Sequence, residues 1–141
     1  MTTGRRRLDL ALAAAGTGVA AVTLLPTGRG WAWGSPAAEL RWYASGLASG
    51  GTLVQLLGNL ALLAVPAALA VLRWPALGTP RRLVCAGLAT GCGIELLQWL
   101  LPLGRVVSPL DALLNATGAV VAGLGTARLL ATARPSLSRA G

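Results

Sequence analysis

Five side chains between residues 95 and 115 have the types and spacing for polar chemistry in an apolar setting: Glu95, Gln98, Arg105, Asp111 and Asn115. Glu95 and Gln98 stand three apart and Asp111 and Asn115 four apart, so each pair shares one face if its segment is helical. They lie in GCGIELLQWLLPLGRVVSPLDALLNATGAVVAG, residues 91–123, which is two apolar runs joined by a short turn. Two of the four acidic residues of the chain are here. Two carboxylates near an arginine could perform acid–base chemistry or hold a polar ligand. The chain has no His, and Ser108 is the only hydroxyl in the turn, with no obvious base beside it. No catalytic residue is therefore assigned, and the balance leans away from an enzyme.

The elements that carry these groups follow from composition. Of 141 residues 55% are hydrophobic and only 11% charged, against about 25% charge in an ordinary soluble domain. Mean hydropathy is +0.68. Long apolar runs with so little charge point to the bilayer as solvent. The net charge of +8 comes from arginine alone, and the arginines cluster at the ends of apolar runs. That is a topology signal, not the basic face of a nucleic-acid binder. Cys85 and Cys92 are seven apart in one run. On a helix they would be about 10 Å apart, too far to bridge. They read as small buried hydrophobes, and no metal or cofactor is expected.

Four spans are predicted, over residues 8–25, 53–72, 83–101 and 110–131, in a single membrane domain. The fold class is all-α and polytopic. Residues 5–7, three arginines before the first run, resemble a secretory signal, but no clear cleavage motif follows and a retained helix is expected. Residues 27–52 are rich in Gly, Ser, Trp and Tyr and read as a loop along the membrane interface, with a short helix over 37–48. Pro66 is expected to kink the second span. The tail from Ala133 is read as short, polar and outside the last span.

Arginines in alternate segments number nine against three, counting both termini and the second loop against the first and third loops. The positive-inside rule then puts both termini in the cytoplasm. On that topology Asn59, Glu95, Gln98, Arg105, Asp111 and Asn115 converge on the outer leaflet. Gly118 continues the Asp111–Asn115 face and offers a smooth surface to another helix. Bland readings stand beside this one. Asp111 suits a helix first turn, the asparagines could be interhelical glue worth about 0.6 kcal/mol each, and Arg105 could anchor at the interface or pair with Asp111. Glu95 resists such a reading, since an intramembrane carboxylate must be paired with Arg105, held neutral or wetted.

The ordered set of Asn59 with Pro66, Glu95 with Gln98, Arg105, and Asp111, Asn115 and Gly118 resembles the VanZ-like family of small bacterial membrane proteins, over about residues 54–125. Ala67-Ala68 stands where the family has a glycine, Ser108 where an acid is frequent, and Gly123 one place later than the family's second glycine. The resemblance implies a multi-pass protein of the cell membrane whose family namesake is associated with low-level resistance to the glycopeptide teicoplanin. It implies no established enzyme activity. The lysine-free, Ala/Arg/Gly-rich composition also looks actinobacterial. The function expected is an outer-leaflet polar site for an envelope lipid or cell-wall precursor, the alternative being an accessory subunit whose polar cluster only holds the bundle together.

Overall fold

The computed structural model describes residues 2–138. Its elements in chain order are α1 (Thr2–Leu24), β1 (Gly30–Trp33), α2 (Pro36–Gly46), α3 (Gly50–Leu62), α4 (Ala64–Arg73), a 3₁₀ turn (Pro75–Leu77), α5 (Pro80–Leu100), β2 (Leu103–Val107) and α6 (Pro109–Ser138). Four helical stretches are long and apolar enough to cross a membrane: Thr3–Leu24, Gly50–Arg73, Pro80–Leu100 and Pro109–Ala133. Leu57, Val65, Leu96, Leu100, Val121 and Leu129 on these stretches are exposed. Such large apolar faces suit a hydrocarbon surround and would drive aggregation in water.

The second stretch is two helices, because Pro66 has no N–H to give the carbonyl of Leu62 and its ring crowds that turn. The break falls at Leu63, which leaves α-helical geometry at φ −98°, ψ 0°. α4 restarts with the Ala67 amide on the Leu63 carbonyl at 3.0 Å.

Helix α6 is the central element and packs against α3, α4 and α5. Small residues make this possible. A Cβ on Gly118 would collide with the Leu60 carbonyl, so α3 and α6 cross nearly backbone to backbone. A compact cluster of Leu63, Ile94 and Ala119 forms the core, with Val19, Leu62 and Ala67 against it. Helix α1 leans chiefly on α4. There Arg73 Nε meets Asp9 Oδ1 at 2.7 Å, and the Arg73 guanidinium sits 5.0 Å from the Trp74 ring centre.

The segments read as loops hold more order than the sequence suggests. β1 and β2 form a two-stranded parallel ribbon, pairing Trp31 with Arg105, Ala32 with Val106 and Trp33 with Val107. Gly104, at φ +70°, turns β2 close against Gly28, where a side chain would clash. The short helix expected over 37–48 is present as α2, and the stretch before it, read as loop, contains the strand β1. A parallel pair needs a long crossover, and here the whole run from α2 to α5 supplies it. Trp31, Trp33, Trp42 and Trp99 are exposed around this ribbon, and the Trp31 and Trp99 rings meet edge to face at 6.4 Å. Aromatic rings of this kind suit the headgroup level. At the other end α6 runs on to Ser138, into the residues from Ala133 taken as tail; Arg139 lies outside the described residues.

Candidate functional site

Ser108 is where the elements meet. It stands between β2 and α6 and is 0% exposed. Its amide donates to Glu95 Oε2 at 2.6 Å, and its hydroxyl donates to Glu39 Oε2 at 2.6 Å. The same oxygen accepts from the Asp111 amide at 3.1 Å, as an N-cap oxygen does for a first-turn N–H. One buried serine therefore ties α2, α5 and α6 together and holds two carboxylates.

Asp111 takes a hydrogen bond from Asn59 Nδ2 at 2.6 Å, which crosses from α3 to α6. Gln98 donates through Nε2 to the Thr23 carbonyl of α1 at 3.0 Å. Arg105 donates through Nη2 to the carbonyls of Val22 and Leu25, at 2.8 and 3.0 Å. These are the groups that the C-terminus of a helix leaves unpaired, where a cation also meets the negative end of the helix dipole.

These side chains surround one cavity of about 410 Å³, whose wall includes Asn59, Glu95, Gln98, Arg105, Asp111 and Asn115. Gln55, Thr23 and Thr27 add polar groups, and Val22, Val54 and Leu62 add apolar ones. All six residues singled out in the sequence line it. Pro66 and Gly118 do not; Pro66 borders a separate apolar cavity of about 220 Å³, and Gly118 is consumed in the α3–α6 crossing. Two polar atoms in the wall are buried without a partner, Asn115 Oδ1 and Arg105 Nε. Orphans of this kind are uncommon, since a buried polar group left unpaired costs about 1–3 kcal/mol.

The VanZ/LLP1 family model matches residues 13–131. The chain belongs to the VanZ/LLP1 family. The match extends beyond the stretch from 54 to 125 that carries the resemblance, and it takes in the whole cavity wall from Val22 to Asn115. No curated protein and no solved structure matches the chain.

In this VanZ/LLP1 chain one of the alternatives open for Arg105 and Glu95 is not met. Arg105 is not an ion-pair partner of Glu95 or Asp111; among the described residues the recorded ion pair is Arg73 with Asp9. The reason lies in β2. Pairing with β1 lays Arg105 over the end of α1, where bare carbonyls compete for its guanidinium. Glu95 is held instead by the Ser108 amide.

Glu39 and Tyr43 are the residues sequence reasoning missed. They are four apart on α2, hence on one face, and that face meets the start of α6. Gly34 makes the approach possible, because any Cβ there would strike Glu39 Oε1. Tyr43 is 9% exposed and its hydroxyl is set against Asp111 and Asn59. Its phenol is pushed up to about 12, by burial first and then by the charges of Asp111 and Glu39, with Asn59 acting in the opposite sense. The signal available was an acidic residue and a tyrosine at helical spacing, in a stretch otherwise poor in charge. No group of three or more His, Cys, Asp or Glu able to hold a metal ion occurs among the described residues.

Proposed function

We infer that this VanZ/LLP1 protein binds the headgroup of an envelope lipid or lipid-linked cell-wall precursor in its polar cavity. The observation that carries the reading is the convergence of polar side chains from α3, α5, β2 and α6 on one roomy cavity inside an otherwise apolar bundle. A polar cavity at membrane depth is expensive to maintain and marks a binding interior by default. The arginine distribution supports an orientation with both termini in the cytoplasm, which opens the cavity to the outer leaflet of the cell membrane. Arg105, with Nε unpartnered, meets the anionic part of the headgroup, while Asn59, Gln98 and Asn115 fix its orientation. Occupancy of such a precursor would link the protein to the envelope's response to glycopeptides such as teicoplanin, in the actinobacterial setting that its composition suggests.

Native mass spectrometry of the detergent-purified protein, with Glu95→Gln and Arg105→Ala beside the wild type, tests this. A specific envelope lipid should accompany the wild type and be lost from both variants. The same lipids on all three folded proteins would overturn the reading. The Asn59–Asp111 and Gln98–Thr23 bonds favour a second reading, in which the polar groups only lock helices together. It predicts lower unfolding temperatures in the variants and an unchanged lipid complement.

A further inference from the structure

The donors and acceptors of the cavity wall are unequally spent. Asn59 Nδ2 is committed to Asp111, Gln98 Nε2 to the Thr23 carbonyl, and Arg105 Nη2 to two carbonyls of α1. Each of the two amides keeps its carbonyl oxygen and the second N–H of its nitrogen, so acceptors remain on both. Glu95 uses one oxygen on the Ser108 amide, and Asp111 is engaged by Asn59 and Tyr43. A carboxylate has about four lone-pair sites, so both keep capacity to accept. Asn115, 2% exposed, lines the same cavity with Oδ1 unpartnered. It stands one turn below Asp111, about 6 Å deeper along α6.

The interior therefore offers acceptors and two carboxyl groups, while the one cation in the wall, Arg105, belongs to the ribbon. In a chain with twelve arginines and four acidic residues, two acids in one cavity stand out. The walls also leave a side entrance. Val22 on α1 and Val54 on α3 border the cavity and are 62% and 73% exposed, and α1 packs chiefly on α4 instead of closing against α3. A lipid could pass its headgroup between them with its tails outside.

We propose that the headgroup bound here carries a primary ammonium joined to a phosphate, as in an ethanolamine phospholipid. The ammonium lies among Glu95, Asp111 and Asn115, and the phosphate faces Arg105. An ammonium has three N–H donors and no acceptor, which complements an interior with spare acceptors. The assignment rests on the reading of the cavity as a headgroup site and narrows it to one chemistry.

The test is a native mass spectrometry titration of the full chain with three dioleoyl lipids. Phosphatidylethanolamine has a cation with N–H donors, phosphatidylcholine a cation without them, and phosphatidylglycerol hydroxyl donors without a cation. The ethanolamine lipid should bind at least about tenfold more tightly than the other two, the scale of one hydrogen bond to a charged group. Glu95→Gln and Asn115→Leu should each erase that preference while remaining monodisperse. Equal binding of the choline or glycerol lipid by the wild type would overturn the ammonium assignment and leave a headgroup site standing. Retention of no lipid of any class would overturn the headgroup reading as well. Glycerophosphoethanolamine, the same headgroup without tails, should compete poorly; competition as strong as the whole lipid would overturn the lipid source.

Discussion

Tyr43 is the sole tyrosine of the chain, which makes it a reporter of the site that needs no label. Its hydroxyl faces Asp111 and Asn59, and the charges of Asp111 and Glu39 add to burial in pushing its pKa up to about 12. An ordinary phenol with a pKa near 10 is about 90% ionised at pH 11, and one near 12 only about 10%. The phenolate band in the near ultraviolet, followed from pH 8 upward in detergent, reads this difference directly. The folded protein should show about a tenth of its full phenolate signal at pH 11, and protein unfolded in denaturant most of it. Glu39→Gln removes one of the two charges and should lower the midpoint. Burial, the largest cause, should still hold it above 10. The sign for stability follows. A group whose pKa is raised by folding contributes fully below its unfolded value and loses that contribution as the pH climbs through its folded value. Stability should therefore decline between about pH 10 and 12, and Tyr43→Phe should lack this component. A folded protein whose tyrosine is half ionised near pH 10 would refute the packing of α2 against the start of α6.

Other perturbations have definite outcomes. Gly118→Ala sets a methyl group against the Leu60 carbonyl, and unfolding in detergent should show a loss of about 1–3 kcal/mol. Gly125→Ala, with nothing within 4 Å of the added carbon, should cost nothing. Ser108→Ala strips an N-cap and the hydroxyl partner of Glu39; a loss of about 1–2 kcal/mol is expected from the same unfolding measurement. For orientation, Cys85 and Cys92 are replaced by Ala and single cysteines placed at Ser45 or Ala76. A membrane-impermeant maleimide added to whole cells should label the first and spare the second; the reverse pattern would invert the topology.

The polar faces of α5 and α6 are legible in the sequence because helical spacing is local. Glu95 with Gln98, and Asp111 with Asn115, declare a shared face from three or four residues of context. The spans are legible for a similar reason, since the length of an apolar run needs no knowledge of its neighbours. Arg105 shows where such reading stops. Its partners are backbone carbonyls of Val22 and Leu25, 83 and 80 residues away, and a carbonyl carries no sequence signature. The ribbon escapes for the same cause, as GWAW and LGRVV are too short to announce strands and acquire meaning only in register with each other. Glu39 and Tyr43 follow from it, because β1 sets where α2 begins. Ser108 is visible as a lone hydroxyl, but its hold on Glu39 and Glu95 depends on that same non-local pairing.

The ribbon also sets an order of assembly. β1 is made some seventy residues before β2, so during synthesis it has no partner until α3, α4 and α5 have all been produced. Only then can Leu103–Val107 pair with it, and the same event delivers Arg105 to the bare end of α1. The ribbon side of the cavity thus closes late, at a contact of long sequence separation whose loop-closure cost must be met before any bond forms. A chain arrested after Leu101 would hold three spans and no cavity. The cavity comes into being only when the fourth span begins, so a partly inserted chain lacks Asp111 and Asn115 of its wall.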